Sequence, residues 1–133
     1  MTTRRNFLKG VAVSAILVAG STGRSEAAYT PFAGVIYTSE VQGRWAGKAG
    51  SHAPVVTKEG RKVTITTNHP MSEAHYIVRH TLVLADGTVV GDKTFSPSDS
   101  KPVSTFMLPE GYSSKFYATS FCNKHDFWLT ESM

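Results

Sequence analysis

Four of the chain's five histidines and its single cysteine stand beside residues that interrupt regular structure. His52 opens His52-Ala53-Pro54-Val55-Val56, and His69 lies in Asn68-His69-Pro70-Met71, six residues before His75. Cys122 and His125 share Cys122-Asn123-Lys124-His125, followed by Asp126-Phe127-Trp128. Strand ends and loops are where a rigid scaffold presents ligands. Taken singly, a Cys-x-x-His or a His-Pro pair says little; together they offer four imidazoles and a thiol, all metal-ligating types. A tetrahedral structural zinc takes four donors and leaves the fifth over. A blue-copper site uses two His, one Cys and a weak axial group, and leaves two imidazoles over. Five donors suit a metal of square-pyramidal or octahedral preference with one position free. Iron, with a soft thiolate opposite that position, answers best.

The elements that must hold these donors read as strands. Short runs of β-branched and aromatic residues, broken by Gly, Pro, Asn and Asp, predict strands over 34–39, 53–58, 62–67, 76–84, 88–94, 103–108, 115–121 and 127–130. Glu59-Gly60 and Asp86-Gly87 predict hairpin turns, the second more strongly because a tight primed turn needs left-handed backbone. With no long 3.6-residue period after the first segment, an all-β antiparallel sandwich or barrel is expected. Along 76–84 the period of two puts Tyr76, Val78, His80, Leu82 and Leu84 on one face. His75, Ile77, Arg79, Thr81 and Val83 point the other way. His75 and His80 therefore serve different places, and His80 reads as a strand histidine with a satisfied ring.

Charge changes meaning along the chain. The 133 residues include 14 Lys and Arg against 10 Asp and Glu, a net +4 that suggests an acidic partner. A single cysteine excludes an internal disulfide framework. Yet Thr3-Arg4-Arg5-Asn6-Phe7-Leu8-Lys9 precedes an apolar run from Val11 to Ala19, and then small and polar residues ending in Ser25-Glu26-Ala27. A basic head, a short apolar middle and a small-x-small site make a secretory signal. Its paired arginines resemble the twin-arginine type. The apolar run is well short of the ~20 residues of a spanning helix. Cleavage is expected after Ala27, with the bond after Ala28 as the neighbouring alternative. That gives a signal over 1–27 and one domain over 28–133, placed in the periplasm. Without 1–27 the chain carries ten basic and nine acidic residues. No basic stripe with interleaved aromatics remains, and the case for nucleic acid falls.

The donor motifs resemble those of superoxide reductases of the one-iron neelaredoxin type, related to the iron domain of desulfoferrodoxin. His-x-Pro-Val, His-Pro…His-Tyr-Ile and Cys-Asn-x-His…Trp occur in family order between Gly43 and Trp128. The resemblance implies an immunoglobulin-like antiparallel β-sandwich of about seven strands. It implies one iron per chain, cycling between Fe2+ and Fe3+, with His52, His69, His75 and His125 equatorial and Cys122 axial. The implied reaction is one-electron reduction of superoxide to hydrogen peroxide, an antioxidant defence that releases no dioxygen. A homo-oligomer, dimer or tetramer, belongs to the same expectation. So does an external electron donor, a rubredoxin-like protein or another reductant, because the chain has no four-cysteine domain.

One departure bears on mechanism. The family places Glu-Lys immediately before the first ligand histidine, where this chain has Gly50-Ser51. The lysine there supplies positive charge that draws in superoxide and helps protonate the product. Lys48, four residues before His52, is expected to take over that role as the catalytic lysine, with Lys124 the second candidate. The missing pair also favours the competing reading, an electron-transfer protein or a sensor of superoxide or nitric oxide with little turnover. A metal-free binding module is the third reading.

Overall fold

The computed structural model describes residues 32–133, so the expected signal over 1–27 lies outside the described residues. Among the described residues eight strands form, one for each predicted run: β1 (Ile36–Tyr37), β2 (Val55–Glu59), β3 (Lys62–Thr66), β4 (Ile77–Leu84), β5 (Val89–Thr94), β6 (Val103–Met107), β7 (Phe116–Cys122) and β8 (Asp126–Ser132). They make a five-stranded sheet ordered β1-β8-β7-β4-β5 and a three-stranded sheet ordered β2-β3-β6. This is the expected all-β sandwich, with eight strands rather than seven.

The two inner faces meet in one apolar layer. Val63 and Ile65 of β3 pack with Leu82 and Leu84 of β4, Phe116 and Ala118 of β7, and Leu108. Each large side chain so buried contributes ~1.5–3 kcal/mol. β5 is tied to β6 by a close approach, because a Cβ on Gly91 would stand 2.8 Å from the Phe106 ring. The predicted turns close as local chemistry demands. Gly60 adopts φ 60° between paired Glu59 and Lys62, so the two-residue loop is Gly60-Arg61. In the second turn Asp86 Oδ1 accepts the Thr88 amide at 2.9 Å and Gly87 takes φ 93°.

Three expectations are corrected. The run over 34–39 yields only two strand residues, because Gly34 sits at φ 90° and Thr38 and Val41 close a turn through reciprocal backbone bonds. That short strand pairs with β8 in parallel, an exception to the antiparallel rule of the other pairs. The alternation along β4 holds for His80, Leu82 and Leu84 but fails at its start. A register shift between Ile77 and Arg79 turns Ile77 fully inward. An extra residue on one strand resets the period of two. Finally, the stretch before His52 is not all loop: a 3-10 turn (Gly43–Trp45) leads into one helical turn, α1 (Ala49–His52).

Candidate metal centre

The start of β2, the end of β3, the start of β4 and the β7–β8 turn lie together at one end of the sandwich, as Val55 opposite Thr66 and Ile77 opposite Cys122 require. Three segments therefore deliver the donors. α1 presents His52. The connection from β3 to β4 presents His69 and His75, the latter from a tight turn closed by Ser72 and His75 bonding each other's backbone at 3.1 Å. Cys122 ends β7 and pairs with Asp126 across a turn that carries His125.

Asn123 joins the second segment to the third: its Oδ1 accepts the Tyr76 amide at 3.0 Å and its Nδ2 donates to the Ala74 carbonyl at 3.1 Å. Trp45 joins the first to the third, its Nε1 donating to Asp126 Oδ2 at 2.8 Å. Trp128, fully buried, donates its Nε1 to the His125 carbonyl at 2.8 Å and tilts against the His52 ring.

The donor atoms converge. His69 Nε2 lies 3.1 Å from His75 Nε2, which lies 3.0 Å from His125 Nδ1, which lies 3.1 Å from His52 Nε2. Cys122 Sγ is 3.8 Å from His125 Nδ1. The inward atoms of His52, His69, His75 and Cys122 all lie within 4.8 Å of one another. A neutral ring nitrogen offers one N–H or one lone pair. His125 Nδ1 faces two other imidazole nitrogens and a sulfur, and its single proton or lone pair can bond only one of the three at a time.

A cation at the centre would engage all five donor atoms at once. For metal–nitrogen bonds of ~2.0–2.1 Å, adjacent donors stand ~2.9 Å apart at right angles and ~3.4 Å apart in a tetrahedron. The observed edges of 3.0–3.1 Å lie nearer the right-angled arrangement. Outer contacts agree: His52 Nδ1 donates to the Lys48 carbonyl at 3.1 Å and His69 Nδ1 to the Pro70 carbonyl. Those bonds fix the tautomer that leaves each Nε2 lone pair pointing inward.

Electrostatics prepares the same state. Burial, reinforced by the neighbouring His69, lowers the His52 pKa to about 4. His69, His75 and His125 are also lowered, burial being the first cause in each. The imidazoles are thus held neutral, the form that ligates. Burial raises the Cys122 thiol, while the backbone amides of Lys124 and His125 pull it back down. The Lys124 amide reaches Sγ at 3.5 Å. The positive charges of Lys48 and Lys124 both help to depress His75 and His125, the two half-exposed histidines of the cluster.

All five predicted donors are brought together, and Lys48 immediately precedes α1 with its carbonyl on His52. His80 stands apart as expected, fully buried, with Nε2 on Thr67 Oγ1 at 2.8 Å and Nδ1 on Ser104 Oγ at 2.7 Å. The residues that reading the sequence missed are Trp45 and Asp126. Their contact spans 81 positions and has no local signature. Asp126 does stand beside a ligand motif, and it is the one described non-glycine residue at positive φ, 66°.

Residues 44–131 match the family model for desulfoferrodoxin. The chain belongs to the desulfoferrodoxin family. Its fold is similar to the superoxide reductase (neelaredoxin) of Ignicoccus hospitalis, with a TM-score of 0.65 and 26% identity over 77% of this chain and 96% of the other. A point variant of that neelaredoxin gives a TM-score of 0.68 at the same 26% identity, over 78% of this chain and 96% of the other. A superoxide reductase in its oxidised state matches with a TM-score of 0.58 and 28% identity, over 76% of this chain and 97% of the other. No curated protein matches the sequence.

Proposed function

We propose that this chain is a superoxide reductase. One superoxide, one electron and two protons give hydrogen peroxide, and no dioxygen is released. The observation that carries the proposal is the convergence of four imidazoles and one thiol on one point, in a chain of this family. His52, His69, His75, His125 and Cys122 would hold one iron ion, which when bound supplies a one-electron Fe2+/Fe3+ couple.

The chain's own residues supply the rest. Cys122 is 1% exposed, whereas His75 and His125 reach solvent, so an anion arrives on the imidazole side and not past the sulfur. Lys48 and Lys124 make that side electropositive, which attracts a small anion ahead of any contact. We assign Lys48 the part of the family's lysine because its charge acts on His75 and His125. Ser51, at the family lysine's position, turns its hydroxyl to His52 Nδ1 at 2.9 Å and brings no charge. Gly50, at the family glutamate's position, carries no side chain to set against the cluster. Solvent at the half-exposed imidazoles delivers the protons.

The electron comes from outside, since the chain's only cysteine is already used. Sequence supports the periplasm as the place of action, through the twin-arginine pattern. The absence of Glu-Lys favours the second reading, a one-electron carrier or sensor with little turnover. Pulse radiolysis of the reduced, iron-loaded protein separates the two. Rapid stoichiometric peroxide that continues with a reductant supports the enzyme; iron that stays reduced in the presence of superoxide refutes it.

A further inference from the structure

Within the cluster His125 differs from His52 and His69 in how it is held. His52 and His69 are oriented by outer Nδ1 bonds to backbone carbonyls, and their Nε2 atoms face inward. His125 presents Nδ1 instead, so that anchor is spent inside the site. Something else must set the rotation of its ring. The indole of Trp45 stands edge-on to it, with ring centroids 4.6 Å apart and planes at 86°. Trp45 is itself held on two sides. Asp126 Oδ2 accepts its Nε1 at 2.8 Å, and the Arg44 guanidinium lies 4.5 Å over its ring.

We propose that Asp126 is a positioning residue for His125, acting through Trp45: its carboxylate fixes the indole whose edge fixes the imidazole. The proposal rests on the reading of the cluster as an iron centre. It accounts for two facts that reading leaves over. One is an aspartate at φ 66°, a region that side-chain-bearing residues rarely adopt, directly after a ligand. Strained backbone that persists at a site points to a role there. The other is a bond joining the segment that carries His52 to the turn that carries Cys122 and His125, 81 positions apart. A ligand's outer support commonly governs metal affinity tenfold or more.

The test uses the full chain, loaded with Fe2+ anaerobically and titrated against a chromogenic chelator, together with the visible spectrum after oxidation. Three variants separate the possibilities. Trp45→Phe keeps a ring and loses the donor. Asp126→Gly suits the positive φ and loses the acceptor. Asp126→Asn keeps an acceptor and tolerates the backbone. Trp45→Phe and Asp126→Gly should each raise the iron dissociation constant about tenfold and shift the thiolate band. The double variant should be no worse than either single one, as expected for one shared interaction. Asp126→Asn should stay within about twofold of the parent. The thermal midpoint of Asp126→Gly should not fall, because glycine relieves the backbone. Asp126→Asn behaving as Asp126→Gly while Trp45→Phe is silent would mean the carboxylate acts by charge, and the positioning role is lost. Three variants indistinguishable from the parent overturn it too. A parent chain that holds no iron overturns the reading of the centre itself.

Discussion

His80 carries a pH-dependent share of stability that can be calculated and isolated. The ring is 0% exposed, edge-on to Phe95, and bonded at both nitrogens to hydroxyls, with Thr67 passing the chain on to Ser120 Oγ at 2.7 Å. Burial, helped by the charge of Lys93, lowers its pKa from 6.5 to about 4. A base with a depressed folded pKa favours folding while it is neutral. The contribution is whole above pH 6.5, where the unfolded chain is also neutral, and it drains away as pH falls from 6.5 toward 4. At ~1.4 kcal/mol per tenfold change in proton affinity, the total is about 3 kcal/mol, of which about 2 kcal/mol is gone by pH 5.

The perturbation is His80→Gln, which keeps donors and acceptors for Thr67 and Ser104 and removes the titration. Urea unfolding at a series of pH values between 7.5 and 4.5 gives the stability of each protein. Carboxylates and the other histidines titrate in both and cancel in the difference. The parent should lose about 2–3 kcal/mol more than the variant over that interval. Parallel curves would refute the argument, since they would show that His80 is no harder to protonate in the fold than outside it.

Four other outcomes are expected. Cys122→Ser should abolish the thiolate-to-ferric charge-transfer band of the oxidised protein, read by visible absorption. Lys48→Ala should slow the second-order reaction with superoxide by up to about tenfold and flatten its ionic-strength dependence, measured by pulse radiolysis; an unchanged rate removes Lys48 from the mechanism. Gly91→Ala should cost ~1–3 kcal/mol in urea unfolding through overpacking against Phe106, since its Cβ would need to share space at 2.8 Å. Replacing Arg4 and Arg5 with lysine should leave unprocessed precursor in the cytoplasm on fractionation.

The candidate donors that the fold gathers were legible because each lies in a short motif with a local cause: a proline that breaks a strand, a tight turn, a Cys-x-x-His corner. Strand positions were legible for the same reason, because β-branched runs between Gly, Asn and Asp need no distant information. Facing was legible only where the ladder is regular. The bulge at the start of β4 depends on how β7 happens to pair, so Ile77 was assigned to the wrong side. α1 is a single turn of four residues, too short for a periodic signal. The Trp45–Asp126 bond was out of reach because two residues 81 positions apart meet only after the sheet has formed.

Cys122 has one more consequence, for durability. An enzyme of the proposed kind releases hydrogen peroxide beside its own thiolate, and thiolates are oxidised stepwise by that product. Here the sulfur sits at the closed end of the site, walled in by Ile77 and Phe95, with the half-buried Met71 packed against that wall. Peroxide leaving on the imidazole side meets solvent first, and Met71 is a less buried sulfur-bearing residue than Cys122. Methionine sulfoxide is a reversible lesion, whereas an over-oxidised cysteine is not. Burial behind Ile77 and Phe95, and not low intrinsic reactivity, is then what shields the thiolate from the product.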